Sequence, residues 1–116
     1  MNLPLSTQEI VINEVLFSHT GTDNAEFVEL FGEAGASLDG LSLVSFNANA
    51  DEAGDLNLRI DFTASDRLGE NGFLLIGNPE GLATSYGVTP DIELASNAFE
   101  NDDQIFVLVK TDTLVI

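Results

Sequence analysis

The chain has 116 residues, 44% of them hydrophobic, and three Lys and Arg residues stand against 20 Asp and Glu residues, giving a formal net charge of −17. This size and apolar content predict one folded domain rather than a disordered chain, and the absence of cysteine excludes disulfides and thiol chemistry. The negative charge repels phosphate groups, which argues against direct binding to nucleic acid or to an anionic membrane surface.

Seven short apolar runs, rich in Val, Ile, Leu and Phe, are separated by Gly, Asn, Asp and Ser. Such runs are typical of β-strands joined by turns. Seven strands with few helical signals predict an all-β fold, a β-sandwich. The predicted strands cover residues 10–17, 26–32, 41–47, 56–62, 72–77, 104–110 and 113–116.

The patterns within these runs predict which faces are buried. The run 56–62 alternates between apolar and polar residues without a fault, which predicts that its four apolar side chains, from Leu56 to Phe62, face a core. The runs 73–76 and 105–109 are continuously apolar, as is typical of strands that are covered on both faces.

Turn-forming residues lie between the predicted strands. Asn71-Gly72 favours positive φ, and Thr111-Asp112 predicts a tight hairpin between the last two strands. The segment 21–24 predicts a polar loop between the first two strands. Within the long connection 78–103, the stretch Gly81–Tyr86 predicts a single helical turn.

The sequence also bears on membranes, export signals and chain length. No apolar stretch approaches the 18 residues of a membrane-spanning helix. The first eight residues lack the basic and apolar regions of a signal peptide. Residues 114–116 are apolar, and a free domain rarely stops inside such a run. We therefore expect the sequence to be a fragment of a longer multidomain protein.

Five motifs follow one another along the chain. They are INEV at 12–15, EFVEL at 26–30, LDGLSL at 38–43, NGFLLIG at 71–77 and NDDQIFVL at 101–108. In this order and spacing, and over nearly the whole chain, they resemble the lamin-tail domain of the bacterial type. The sequence departs from that family at Leu41, where an aromatic residue is common.

The resemblance implies an immunoglobulin-like β-sandwich of about seven strands, forming one domain over residues 1–116. In bacteria such domains usually accompany extracellular nucleases, phosphoesterases or adhesins, although a similar fold need not have a similar function. The resemblance therefore implies a non-catalytic accessory or interaction module of a larger exported bacterial protein, such as an extracellular nuclease or a related phosphoesterase. It implies a secreted or cell-surface location, with other domains of the same protein or a protein or matrix partner as the binding partner.

The residues themselves argue against catalysis. His19 is the only histidine, and the chain has neither cysteine nor a Gly-x-Ser-x-Gly motif, which argues against a nucleophilic triad and a zinc site. Paired carboxylates are unavoidable with 20 acidic residues, so they do not by themselves predict a glycosidase.

Glu14 and Glu29 lie inside predicted strands, where a charged side chain is unfavourable if it is buried without a partner. Two interpretations are open. Either both carboxylates point outward or accept hydrogen bonds from loop amides, or they share a divalent cation or fix the loops above them.

Calcium is the metal that this composition favours, because the chain is rich in carboxylates and calcium prefers oxygen ligands. The loop 47–55 offers oxygen-bearing side chains at positions i, i+2 and i+4, although it is not an EF-hand, since the twelfth position from its start is Leu58. Residues 100–103 are a second acidic cluster. A solvated polar turn is the simpler interpretation of both loops, and a calcium-dependent adhesion or matrix-binding module is the alternative function. The candidate calcium ligands are Asn47, Asn49, Asp51 and Asp55.

Overall fold

The computed structural model of the chain describes residues 9–16, 25–48, 54–95 and 104–114. These residues form seven strands, an eight-residue helix and a short 3-10 turn. In chain order the elements are β1 (Ile10–Leu16), β2 (Phe27–Gly32), β3 (Leu41–Asn47), β4 (Leu56–Asp61), β5 (Phe73–Gly77), α1 (Pro79–Tyr86), β6 (Ile92–Glu93), β7 (Gln104–Lys110) and the 3-10 turn Thr111–Thr113. No helix within these ranges has the length and apolar character needed to cross a membrane.

The strands form two sheets. One has the order β1-β2-β5-β6 and the other has the order β4-β3-β7. All pairs are antiparallel except β5 and β6, which run parallel. Two sheets, of four and three strands, thus form an all-β sandwich. The predicted all-β sandwich of seven strands is confirmed.

The hydrophobic core lies between the two sheets. Val28 and Leu30 of β2 and Leu74 and Ile76 of β5 pack against Leu43 of β3 from the opposite sheet. In β2 and β5 these buried residues alternate with partly buried ones, because successive side chains of a strand point to opposite faces. Complete burial of one such side chain contributes roughly 1.5–3 kcal/mol, so this interface holds the two sheets together.

A β-bulge at Asn57 changes the side of the sheet to which one end of β4 points its side chains. Leu58 pairs with Ser45, but Leu56 pairs with the next residue, Phe46, so that Asn57 has no partner across the strand. One extra residue in a strand reverses the facing of the side chains on one side of the bulge relative to those on the other. Leu56 therefore lies on the outer face, where it is 43% exposed. The prediction that it faces the core is wrong, whereas the other three apolar residues of the run are packed as predicted.

Burial on both faces is a property of β3 rather than of β7. The four residues 42–45 of β3 are all buried. On the outer face, Val44 is flanked in register by Arg59 of β4 and Val107 of β7. Ile105, near the start of β7, is 53% exposed. The prediction of two-sided burial is therefore wrong at Ile105, whereas the next four residues of β7 are partly buried.

The helix α1 is longer than the single turn predicted there. Asn78 is its N-cap, and the Asn78 Oδ1 atom accepts a hydrogen bond of 2.9 Å from the backbone N–H of Gly81. Pro79 occupies the first turn, where proline is tolerated. Gly87 ends the helix in the left-handed region at φ 67°. The Asn78 amide also donates to the carbonyl oxygen of Leu94 at 3.0 Å, which ties the start of α1 to the segment after β6.

The chain after β7 turns locally. The hydroxyl of Thr113 donates to the carbonyl oxygen of Lys110 at 2.6 Å, and the N–H of Leu114 donates to the carbonyl oxygen of Thr111 at 3.1 Å. These bonds form a 3-10 turn in place of the predicted hairpin. The described residues 113 and 114 do not form the predicted last strand, and 115 and 116 lie outside the described residues.

One strand of the structure was not predicted, and it lies within the long connection 78–103. It is β6, which has only two residues and pairs with the end of β5. The side chain of Asp91 accepts a hydrogen bond of 2.8 Å from the backbone N–H of Leu75, and this bond holds β6 in place. The predicted polar loop at 21–24 lies outside the described residues.

Candidate functional site

A groove of about 510 Å³ lies on the outer face of the four-stranded sheet. It is formed by β1, β2 and β5 together with the end of α1 and the segment that follows it. Most of its lining is apolar, with two carboxylates among the apolar side chains. The principal lining residues are Leu16, Phe27, Leu75 and Tyr86, with Glu14 and Glu29 as the charged groups.

The alternation of β2 brings two of these residues to the outer face. Val28 and Leu30 point into the core. The residues between and beside them must then point outward, which places Phe27 and Glu29 in the groove.

A second β-bulge, at Asn13, brings Glu14 to the same face. Ile12 packs against the core and pairs with Leu30, and the next pair is Glu14 with Glu29. Without a bulge, Glu14 would point to the same side as Ile12, because the two residues are two positions apart. The extra residue Asn13 shifts the facing by one position, so the carboxylate of Glu14 lies outside the core.

Glu14 and Glu29 therefore face each other directly across two antiparallel strands. The amide of Asn13 donates a hydrogen bond of 2.9 Å to Oε1 of Glu29. Of the two interpretations of these glutamates, the geometry agrees with the outward-facing one, although the amide that bonds to Glu29 is the side chain of Asn13 within β1 and not a loop amide. Like charges placed opposite each other on a sheet are destabilising, and the amide of Asn13 offsets part of that repulsion.

The three Lys and Arg side chains of the chain lie away from this pair. Arg59 is in the other sheet, where its Nε atom lies 2.9 Å from Oδ1 of Asp61. Arg67 donates to the carbonyl oxygen of Gly35, and Lys110 ends β7. None of the three lines the groove, so no Lys or Arg of this chain neutralises its two carboxylates.

Aromatic side chains extend the apolar character of this face. The rings of Phe27 and Tyr86 meet edge to face, with centroids 6.1 Å apart, and Tyr86 is 52% exposed. Further along the same face, the rings of Phe31 and Phe73 lie 4.7 Å apart, and Val11 pairs with Phe31 in register. Outer faces of antiparallel sheets usually carry polar residues. The apolar side chains on both sides of the glutamate pair therefore make this face a candidate binding face.

The predicted calcium loop is described only at its two ends. Asn49 and Asp51 lie outside the described residues. Asn47 is 4% exposed, and its Oδ1 atom accepts a hydrogen bond of 2.6 Å from Nε2 of Gln104. The backbone N–H of Asn47 donates to the carbonyl oxygen of Asp55 at 2.8 Å, which closes the loop. The geometry gives Asn47 a structural role, and calcium binding at these four residues stays a prediction.

A polar cluster joins Ser42, Asp61, Arg59 and Thr111 on the other sheet. The hydroxyl of Ser42 donates to Oδ1 of Asp61 at 2.6 Å and lies 2.6 Å from the hydroxyl of Thr111. The hydrogen bond from Arg59, and then that from Ser42, lower the pKa of Asp61. A carboxylate with a lowered pKa is a weak base, and Ser42 is fully buried. The cluster therefore joins β3, β4 and the 3-10 turn, rather than presenting a nucleophile.

The sequence patterns singled out Glu14 and Glu29 but missed the aromatic residues beside them. The alternation of β2 carried the available signal, since it places Phe27 and Phe31 outward on either side of Glu29. No sequence pattern predicts that Tyr86 lies beside Phe27, because the two residues meet only when the chain folds and brings α1 to β2. The patterns also missed Glu26, which is buried just before β2.

Within the ranges 9–16, 25–48, 54–95 and 104–114, no group of three or more His, Cys, Asp or Glu side chains is placed to hold a metal ion. His19 and the acidic cluster 100–103 lie outside those ranges. No protein-family model matches the chain, and the comparison with curated proteins gave no match either.

Proposed function

We propose that the domain is a non-catalytic interaction module of the lamin-tail type, within a larger exported bacterial protein such as an extracellular nuclease or a related phosphoesterase. The observation that carries the proposal is the groove on the outer face of the four-stranded sheet, with its exposed aromatic residues. Exposed apolar surface of this kind marks sites of protein or ligand binding. The order of the five sequence motifs supports the lamin-tail assignment and, with it, the exported location.

The charge of the chain narrows the kind of partner. A net charge of −17 repels DNA and RNA, whose affinity for proteins comes largely from Lys and Arg contacts to phosphates. In a nuclease the domain would therefore dock or position the catalytic part through a protein or matrix partner, and it would not hold the nucleic acid.

The test compares ligand classes on the isolated 116-residue chain. The ¹⁵N-labelled domain is mixed separately with peptides, polysaccharides and duplex DNA at physiological salt, and amide chemical shifts are recorded by NMR. We expect shifts at groove residues such as Phe27 and Leu75 with a peptide or matrix ligand, and none with DNA.

Hydrolysis assays on the same samples test the non-catalytic part of the proposal. We expect no turnover of DNA, phosphoesters or glycosides. Turnover that is abolished by Glu14→Gln or Glu29→Gln, with the fold intact, would show that the groove is an active site and would overturn the proposal.

A further inference from the structure

We propose that the groove binds a segment of a protein partner through a lysine or arginine side chain, with the cationic head between Glu14 and Glu29 and the aliphatic stem against Phe27 and Tyr86. The proposal rests on the interaction function above and names the chemistry of the partner. It combines an apolar groove with two opposed carboxylates at one position of its floor.

The two carboxylates favour a cation that can bridge them. Asn13 donates one hydrogen bond to Glu29, whereas a carboxylate can accept about four. A lysine ammonium has three donors and an arginine guanidinium has five, so either group can bond to both carboxylates at once. Such a cation would also remove the repulsion between them.

The composition of the groove favours an organic cation over a metal ion. Calcium takes six to eight oxygen ligands and magnesium takes six, whereas this groove offers two carboxylates among apolar side chains. Lysine and arginine match that mixture, because their methylene stems pack on apolar surface while the charged head binds an anion. The half-exposed ring of Tyr86 can also attract a cation through its π-face.

The same charges argue against two other occupants. A purely apolar partner would cover both carboxylates without replacing the hydrogen bonds that they make to water, and burial of an unpaired charge is strongly unfavourable. A second copy of the chain would bring a further −17 and only three Lys and Arg residues. Of these, Arg59 already bonds to Asp61 and Arg67 bonds to a backbone carbonyl.

The experiment uses a pair of capped synthetic peptides as probes. One alternates lysine with valine, and the other has acetyl-lysine at every lysine position, which keeps the stem and removes the charge. Binding to the 116-residue domain is measured by isothermal titration calorimetry, and the site is located from amide chemical shifts. We expect the lysine peptide to bind with shifts centred on Glu14, Glu29 and Phe27, and the acetylated peptide to bind at least about tenfold more weakly.

Matched glutamine variants separate the groove from the general negative field. We expect Glu14→Gln and Glu29→Gln each to weaken binding of the lysine peptide by about tenfold, since each variant replaces a charge-assisted hydrogen bond to the lysine head by a weaker neutral one. The control is Glu70→Gln, which removes the same charge from an exposed turn and should change the affinity by less than about twofold. Tm and amide dispersion of each variant establish that it is folded.

Three outcomes would overturn the inference. Equal weakening by Glu70→Gln would show that only the overall charge attracts the peptide. If the acetylated peptide binds in the groove as tightly as the lysine peptide, the groove is still an interaction site, but the positive charge of lysine does not contribute to binding. Shifts from neither peptide at the groove would reject the lysine-binding site, and the ligand classes tested above would then decide separately whether the domain is an interaction module.

Discussion

Glu14 and Glu29 lie directly opposite each other on β1 and β2, with both carboxylates at the groove on the outer face of the sheet. The bulge at Asn13 creates this opposition, and the same residue donates the hydrogen bond that steadies one of the two carboxylates. Opposed like charges on neighbouring strands cost up to about 1 kcal/mol. The free domain therefore keeps a local repulsion at the position where we propose that a cation binds.

Removal of one of these charges should stabilise the free domain. We expect Glu14→Gln to raise the free energy of unfolding by about 0.5 kcal/mol at low ionic strength, measured by urea denaturation. The gain should shrink in high salt, which screens surface charges. Glu70→Gln in an exposed turn is the control and should give a smaller gain. A Glu14→Gln protein that is less stable than wild type at low salt would show that the carboxylate already has a favourable partner.

Asp61 should titrate below its usual pKa of 3.8, because Arg59 and then Ser42 donate hydrogen bonds to its carboxylate. Since the pKa of the folded state is the lower one, the charged carboxylate stabilises the fold above pH 3.8, and this contribution is lost as the pH falls through the folded-state pKa. NMR titration of the Asp61 carboxyl carbon measures the shift.

Variants of the two donors test the cause of that lowered pKa. Arg59→Gln should raise the pKa of Asp61 back toward 3.8, and Ser42→Ala should raise it less, in the order of the two contributions. Arg67→Gln serves as the control, because its guanidinium bonds to the carbonyl oxygen of Gly35 instead. A pKa of Asp61 that is unchanged in Arg59→Gln would contradict this account.

Gly72 should be far less tolerant of a side chain than Gly40, although both have positive φ. A Cβ atom at Gly72 would lie 2.5 Å from the carbonyl oxygen of Gly32, whereas one at Gly40 would meet nothing within 4 Å. We expect Gly40→Ala to cost about 1 kcal/mol for its backbone conformation, and Gly72→Ala to cost at least about 1 kcal/mol more for the clash. Urea denaturation measures both, and equal losses would show that β2 and the turn before β5 can move apart.

Asn47 should stabilise the fold without calcium. Asn47→Ala removes the acceptor of the Gln104 amide, and an unsatisfied polar group of this kind costs about 1–3 kcal/mol. We expect this loss of stability in buffer that contains a calcium chelator. Thr84→Ala on the exposed side of α1 is the control. A loss that appears only when calcium is added would identify Asn47 as a calcium ligand instead.

The strands could be predicted closely wherever apolar residues recur with a regular period. The predicted run 41–47 coincides with β3, and the predicted run 26–32 differs from β2 by one residue. The two bulges could not be predicted, because a bulge depends on which residues pair across strands. The regular alternation of 56–62 consequently gave the wrong face for Leu56. The strand β6 has only two residues, which is too short to show any period.

The candidate site could be predicted only in part. Glu14 and Glu29 were recognisable as charges within apolar strands, and their outward facing was one of the two interpretations of that pattern. Their opposition depends on a register that one extra residue decides. Tyr86 lies 59 positions from Phe27 in the chain, and the contact between their rings forms only when α1 folds back over the sheet.

The bulge at Asn57 gives the other sheet an apolar corner of its own, where Phe46 pairs with both Leu56 and Ile105. The domain thus exposes apolar side chains on the outer faces of both sheets. Contacts between two different surfaces of one molecule lead to open arrays rather than to closed dimers. The charge of −17 opposes that polymerisation at neutral pH. Acidification toward the isoelectric point, about 4.1, removes this protection, so the colloidal stability of the domain depends on its carboxylates staying ionised.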